Sequence, residues 1–223
     1  NYFNIKKVNI DARWEENRTE LRKLHAIDFA GGSFDLSSQA VFIKENWDKN
    51  DIIKLPFVFN NFRINTNTSG FDKMISPEID VKISGNGFAS VNKKKLNVQF
   101  GKEYGEILEF SLGKTTEKKI LDTKNWRASL AYEKIFGEES SFEGVLSTAQ
   151  SKLGFTGRIR PKKINIELAD ISLNLGDFKS FGGVSVSGKT KGLLTYEKSE
   201  GVNNISYVFD SEDLSVFNYF TGD

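Results

Sequence analysis

The chain has 223 residues, of which 38% are hydrophobic and 27% charged, and its 31 basic residues nearly balance its 30 acidic ones. This length suits one large domain and is sufficient for a hydrophobic core without disulfide bonds. The net charge of +1 lacks the basic excess usual in nucleic-acid-binding proteins, so we expect no nucleic-acid partner. Because there is no Cys and only one His, thiolate metal sites, iron–sulfur clusters and multi-histidine metal centres are excluded.

Apolar and polar residues alternate with a period of two along most of the chain, which predicts β-strands with one apolar face. The first such segment, residues 15–29, also contains helix formers, and we interpret it as a charged strand rather than a short helix. In chain order, the further alternating segments are residues 55–64, 79–91, 96–100, 126–132, 153–160, 164–175, 184–196 and 205–209. Turn candidates between them, including residues 92–94, 101–105, 137–140 and 198–201, complete a pattern that predicts an all-β fold of mainly antiparallel strands.

Two of these segments change phase partway. Apolar residues occupy even positions in residues 164–168 and odd positions in residues 171–175, and a bulge at residues 169–170 would absorb the extra residue. A second phase change lies at residues 60–61. Because bulges strengthen the local twist, we expect these strands to belong to a curved sheet.

The end of the chain has a helical pattern. Ser211 is a suitable N-cap, acidic residues follow it, and Leu214, Phe217 and Phe220 are spaced three apart. We therefore predict one short C-terminal helix from Asp213 to Phe220.

No arrangement of residues indicates catalysis. His25 lies in a charged segment without a Gly-x-Ser-x-Gly nucleophile motif, and carboxylate pairs such as Glu138-Glu139 lie in predicted turns, where they are solvated. The glycine-rich residues 182–192 precede no helix, so they do not form a phosphate-binding loop. We expect no catalytic residue, no metal and no cofactor; a glycan hydrolase on a β scaffold is the enzymatic alternative.

Basic clusters and phenylalanines allow two interpretations each. The clusters at residues 93–95 and 158–163 fit lipid headgroups or phosphates, and they equally fit charged hairpin tips and edge strands. The 19 Phe residues supply apolar area without polar atoms, either for a core or for the lining of an apolar groove. Strands with one solvent-exposed polar face fit a closed sandwich as well as a single curved sheet.

Three segments resemble the AsmA-like superfamily of Gram-negative envelope proteins, of the AsmA, TamB and type II secretion protein N type. In residues 21–36, Gly31-Gly32 separates two alternating runs. Residues 183–194 are similar to the Gly-x-Val-x-Gly-x-Gly-x-Leu strands of that superfamily. Residues 210–222 resemble its recurrent segment in which a strand leads to Asp-Leu, a short apolar helix and Gly.

The resemblance implies a curved antiparallel sheet that forms an open, taco-like groove with an apolar concave face. It also implies a periplasmic protein anchored in the inner membrane, with phospholipid or another acyl-chain ligand and other envelope proteins as partners. We expect residues 1–223 to form a single β-rich domain of a longer envelope protein, because the chain begins with Asn and has no apolar run that could cross a bilayer as a helix.

We therefore interpret the chain as a non-enzymatic envelope protein that binds lipid, transfers it between membranes or serves as an envelope-assembly scaffold. The alternative is a closed β-sandwich that acts as a binding or scaffold subunit of an envelope or secretion complex. The residues expected to line the apolar groove are Val81, Ile83, Phe155, Ile164, Ile166, Val184 and Val186.

Overall fold

The computed structural model describes residues 5–16, 18–36, 40–43, 53–65, 79–113, 121–181 and 185–217. Within these ranges the chain forms fourteen β-strands and one 3-10 turn, at Leu175–Asp177. The strands are β1 (Ile5–Glu15), β2 (Arg18–Asp28), β3 (Ser33–Leu36), β4 (Ala40–Ile43), β5 (Ile53–Asn65), β6 (Ile79–Val91), β7 (Lys95–Leu112), β8 (Leu121–Ile135), β9 (Ser140–Ser147), β10 (Lys152–Arg160), β11 (Lys163–Asn174), β12 (Phe178–Phe181), β13 (Ser185–Ser199) and β14 (Val202–Phe217).

All of these strands belong to one antiparallel sheet. Its main path runs β1-β2-β3-β5-β6-β7-β8-β9-β10-β11-β13-β14, while β4 pairs with β2 and β12 pairs with β8. In this path β1 and β14 form the two outer edges and do not pair with each other. The prediction of an all-β antiparallel fold is confirmed, and residues 18–28 form a strand as expected.

The two predicted bulges are present. The β5–β6 register shifts between Phe59 and Phe62, and Asn61 has a left-handed φ of 51°. The β11–β13 register shifts between Leu168 and Ile171, and Asp170 also has a φ of 51°. Each bulge adds one residue to its strand, so the apolar side chains before and after it lie on the same face of the sheet.

The predicted C-terminal helix is wrong for residues 213–217, which belong to β14; residues 218–220 lie outside the described residues. Asp213 has a φ of 52°, and the register with β13 shifts beside it. This bulge returns Val216 to the same face as its partner Val186, so an apolar spacing of three came from a bulge rather than a helix.

The predicted turn at residues 101–105 is also wrong, because it lies within β7. The registers of β7 with both neighbouring strands break there, and Gly101 has a φ of 73°. The glycines therefore form a local irregularity inside one long strand rather than a connection between two strands.

No second layer covers this sheet in the described part of the chain. The accessible surface is 14700 Å², whereas a compact protein of 25.1 kDa has about 10,000 Å². Fully buried apolar side chains are few, namely Ala26, Ile53, Phe57, Phe62, Trp126, Ala128, Ile171 and Leu175. The described strands therefore do not form the closed sandwich that was the alternative prediction.

Aromatic rings that lie on cross-strand glycines provide much of the packing within this single layer. Phe155 faces Gly144 in register, and Phe142 faces Gly157. In both pairs a Cβ added to the glycine would overlap the ring. The glycines therefore allow the rings to lie down over the neighbouring strand, which buries ring surface without a second sheet.

A larger aromatic cluster spans β3, β5 and β7. The ring centroids of Phe34 and Phe59 are 4.9 Å apart, and those of Phe59 and Phe62 are 5.5 Å apart. Phe59 also lies 6.1 Å from Phe100, across the Gly85 position of β6, because Gly85 has no side chain to separate them. Such tilted and edge-on pairs stabilise the centre of the sheet from one side.

The contact between Phe142 and Gly157 gives a direct test of this packing. We expect Gly157→Ala to lower the free energy of unfolding by about 1–3 kcal/mol, because the new Cβ forces the ring away from the sheet. In a Phe142→Ala background, Gly157→Ala should lower the free energy of unfolding by much less, because no ring is displaced. Urea unfolding of the four proteins of this double-mutant cycle measures the coupling, and equal costs in the two backgrounds would contradict the proposed packing.

Candidate functional site

One face of the sheet is apolar across its width, and we call it the apolar face. The register connects Ile83 through Ile107 to Trp126, and in β8 alternate residues carry this face to Leu130. From Leu130 it passes in register through Gly144, Phe155 and Leu168 to Leu194. The polar residues between these positions point to the opposite side, which we call the polar face.

Six of the seven predicted groove residues lie on this apolar face. They are Val81, Ile83, Phe155, Ile164, Ile166 and Val186, and all six are half-buried. Val184 lies outside the described residues. The structure therefore brings the described residues together on one surface, although they come from four strands, β6, β10, β11 and β13.

The apolar face continues to both outer edges of the sheet. On β1, Ile10 and Trp14 point to it and are 64% and 83% exposed. On β14, Ile205, Tyr207 and Phe209 point to it and are also exposed. Exposed apolar area of this extent is typical of a binding surface.

Burial on this face decreases along β8, β10 and β11 from one end of the strands to the other. In β8, Trp126 and Ala128 are buried, whereas Leu130 is 37% exposed. Likewise Ile171 of β11, near the 3-10 turn, is buried, whereas Ile159 of β10, near the β10–β11 turn, is 41% exposed. In β8, β10 and β11 the apolar face is thus packed near the 3-10 turn, and Ile159 is exposed toward the β10–β11 turn, whereas Ser140 and Ile53 at that end of the sheet are buried.

A hydrogen-bond network holds the packed end. Trp126 donates its indole N–H to Thr123 Oγ1 at 2.5 Å, and Thr123 donates to the backbone oxygen of Asp177 at 2.9 Å. The Asp177 carboxylate accepts from Thr148 Oγ1 and Ser151 Oγ, both at 2.5 Å. This network ties the β9–β10 turn and the 3-10 turn to β8, so these elements are positioned together.

The other end carries four hairpin turns, because β6, β8, β10 and β13 run in the same direction. The turns are residues 92–94, 136–139, 161–162 and 200–201. The Phe136 backbone N–H donates to the Lys94 carbonyl at 2.9 Å, and the Glu200 N–H donates to the Lys162 carbonyl at 3.4 Å. We call this region the basic end, and its charged residues are Lys93, Lys94, Lys95, Lys134, Glu138, Glu139, Arg160, Lys162, Lys163, Lys198 and Glu200.

The polar face also has a depression, with a volume of about 850 Å³. It spans β6 to β11, and its lining includes Phe88, Asn97, Glu143 and Arg158. This concavity lies on the face opposite to the predicted groove residues. A concave apolar groove therefore stays a prediction, while the apolar face itself is present.

The single histidine is part of a hydrogen-bonded pair on the polar face. His25 Nδ1 lies 2.5 Å from Asp35 Oδ1, across the β2–β3 pair. Ser33 donates its hydroxyl to Asp35 Oδ2 at 3.2 Å, so the serine contacts the acid rather than the imidazole. This order differs from a nucleophilic triad, in which the imidazole lies between serine and acid.

The resolved pKa shifts belong to the polar face and the turns. The hydrogen bond that Arg160 donates to Glu139 lowers the pKa of Glu139, and the hydrogen bonds that Arg63 donates to the Asp80 carboxylate raise the pKa of Arg63. The hydrogen bond that Tyr104 donates to Glu106 raises the pKa of the phenol. Each shift follows from a local pair in an exposed or half-exposed place, so none of them points to an acid–base site.

The described ranges contain no cluster of three or more His, Asp or Glu side chains that could hold a metal ion. The same ranges contain no helix that is long and apolar enough to cross a membrane. Comparisons of the chain with protein-family models, curated proteins and solved structures gave no match. The fold and the surface therefore define the protein as an open, single-layer β-sheet with one apolar face.

Sequence reasoning missed two features of this surface. It identified the basic clusters at 93–95 and 158–163 separately, but not that they meet Lys134 and Lys198 at one end of the sheet. The rule that every second hairpin turn lies at the same end could have found this. No sequence signal indicated the network around Asp177, because its members come from three elements that are separate in the chain: β8, the β9–β10 turn and the 3-10 turn.

The Asp177 network can be tested against a nearby exposed acid. We expect Asp177→Ala to lower the free energy of unfolding by about 1–3 kcal/mol, because it leaves the Thr148 and Ser151 hydroxyls without their acceptor. Asp170→Asn is the control, since Asn tolerates the left-handed φ of 51° at this position and the Asp170 carboxylate is 73% exposed, with Lys152 as its ion-pair partner among the described residues. We expect this control to lower the free energy of unfolding by less than about 1 kcal/mol. Equal losses in urea unfolding would contradict the structural role of Asp177.

Proposed function

We propose that the protein is a non-enzymatic lipid-binding protein that holds acyl chains against its apolar face. The observation that carries this proposal is the apolar surface that the described residues leave uncovered, which extends over all strands of the main path. Removal of apolar area of this size from water is favourable, and acyl chains are one cover that fits it. Each buried methylene contributes roughly 0.8 kcal/mol, so burial of even part of one acyl chain is enough to hold it on the face.

The dimensions of the sheet suit this ligand. The thirteen residues of β5 span roughly 43 Å at the usual rise per residue. One acyl chain covers half of a bilayer core, which is roughly 15 Å. The apolar face is therefore long enough for a chain to lie along the strands, and its flat aromatic rings give a smooth apolar surface.

The resemblance to AsmA-like envelope proteins supports the cellular setting of this proposal. In that setting the protein faces the periplasm, is attached to the inner membrane through an anchor outside this sequence, and binds or transfers phospholipid between membranes. Other envelope proteins are its macromolecular partners, and no nucleic acid or cofactor takes part.

A second candidate function, an envelope-assembly scaffold, has one observation in its favour. The outer edges of β1 and β14 lack a strand partner in the described sheet, and the described side chains of β14 are exposed. Open edges of this length accept further strands. A scaffold would use these edges and cover the apolar face with protein instead of lipid.

Charge placed on the apolar face tests lipid binding. We expect Ile166→Asp and Val186→Asp to stay folded with a modest loss of thermal stability, because the open face lets water reach the carboxylate. Both should lose bound lipid, since a charge that faces acyl chains is costly. Thermal melting and mass spectrometry of an organic extract, on the same preparations, measure the two effects.

The matched controls are Asn165→Asp and Ser187→Asp, which place the same charge one residue away on the polar face. Both controls should keep their lipid. If both apolar-face variants unfold, or if the wild type carries as little lipid as they do, the acyl-binding proposal fails. A wild type without lipid that associates through its sheet edges would support the scaffold.

A further inference from the structure

The basic end has a charge excess that the rest of the protein lacks. Its four turns and their flanking residues hold eight cations and three carboxylates, whereas the whole chain has a net charge of +1. At the opposite end, the described turns at residues 29–32, 148–151 and 175–177, counted with the two residues on each side, hold Asp28, Lys152, Asp177 and Lys179, whose charges balance. The charge is therefore polarised along the strand direction.

Two of these cations lie on the apolar face itself. Lys134 pairs in register with Ser140, and from there the same row passes through Ile159 and Ile164 to Lys198. The row crosses five neighbouring strands, so the two lysines are roughly 19 Å apart. The apolar face thus ends in a row that has cations at both sides and isoleucines between them.

A cavity of about 650 Å³ lies at this border. Ile159 and Ile164 supply its apolar lining, and Arg160, Lys162, Lys163 and Lys198 supply its cations; Glu200 and Gly201 complete the lining. Arg160 and Lys163 already have carboxylate partners, in Glu139 and Glu197. Among the described residues, Lys162 and Lys198 have no such partner, so their charges are available to a ligand.

An apolar side chain accompanies these cations. Phe136 lies at the tip of the β8–β9 turn, is 46% exposed, and is joined to the lysine turn at 92–94 through its backbone hydrogen bond to Lys94. Cations beside an exposed aromatic ring suit a membrane interface, where the ring enters the headgroup layer and the ammonium groups contact phosphates.

From this arrangement we propose that the basic end docks on an anionic lipid membrane, with Lys134, Lys162 and Lys198 contacting headgroup phosphates. On the apolar face at this same end, Ile159 is exposed and Ile164 half-buried, so an acyl chain below a bound headgroup lies on these two residues. This inference deepens the proposed lipid binding, and it identifies the ligand as an anionic phospholipid presented by a bilayer.

The experiment compares two triple variants that lose the same charge. The first is Lys134→Gln/Lys162→Gln/Lys198→Gln at the basic end. The control is Lys124→Gln/Lys189→Gln/Lys191→Gln, whose lysines are exposed on the polar face and have no ion pair among the described residues. Binding is measured by flotation with vesicles of phosphatidylcholine alone and of phosphatidylcholine mixed with phosphatidylglycerol.

We expect the wild type to bind the phosphatidylglycerol vesicles at least about tenfold more tightly than the neutral ones, and more weakly as salt is raised. The basic-end variant should lose about tenfold or more of this affinity, and the control should stay within about threefold of the wild type. Equal losses in the two variants, or no preference of the wild type for phosphatidylglycerol, would overturn the proposal. Saturable binding of inorganic phosphate without vesicle binding would also overturn it.

A neutral probe separates this inference from the proposed function. Diphenylhexatriene has no charge, so its fluorescence on binding reports the apolar face alone. Wild type and basic-end variant should bind it equally. If the probe binds but the anionic preference is absent, the docking inference fails and acyl binding stands. If the probe does not bind while the basic end still selects phosphatidylglycerol, docking stands and acyl binding fails.

Discussion

One constraint organises the structure: a single layer of antiparallel strands keeps its apolar side chains on one face. Strand alternation alone would lose this face wherever a strand gains a residue. The left-handed residues Asn61, Asp170 and Asp213 each absorb such a residue, so the phase is restored on the other side. Register across the sheet then follows, because a slip by one residue would turn a whole strand to its wrong face.

This constraint leaves the sheet without the partner layer that usually buries an apolar face. The structure compensates within the layer itself. Phenylalanines lie over cross-strand glycines, and the Phe59 ring contacts both Phe34 and Phe100, so that the cluster extends from β3 to β7. Toward β14 this cover ends, and Tyr207 and Phe209 stay exposed although they stack on each other. The uncovered part is the surface that the proposed function uses.

The two ends of the strands differ in both packing and charge. Around Asp177 a hydrogen-bond network joins the 3-10 turn and the β9–β10 turn to β8, and Trp126 and Leu175 are buried beside it. At the basic end, Ile159 is exposed and the lysines project from the turns. A lipid that binds with its chain along the strands therefore finds apolar surface in the middle and cations at one end. The lipid has its charged headgroup at one end of an apolar chain, and the sheet has its cations at one end of the apolar face.

The sequence by itself determined the strands β5, β6, β10, β11 and β13, the two bulges at 60–61 and 169–170, and the common face of Ile83, Ile166 and Val186, because period-two alternation is a local property of the chain. It did not predict β1, β4, β9 or β12. The tertiary structure decided what local patterns cannot. It turned residues 213–217 into a strand, since pairing of Val216 with Val186 outweighed a helical spacing. It also kept the sheet in one open layer and brought Lys134 beside the distant Lys198, because strand order and direction place turns together that are far apart in the chain.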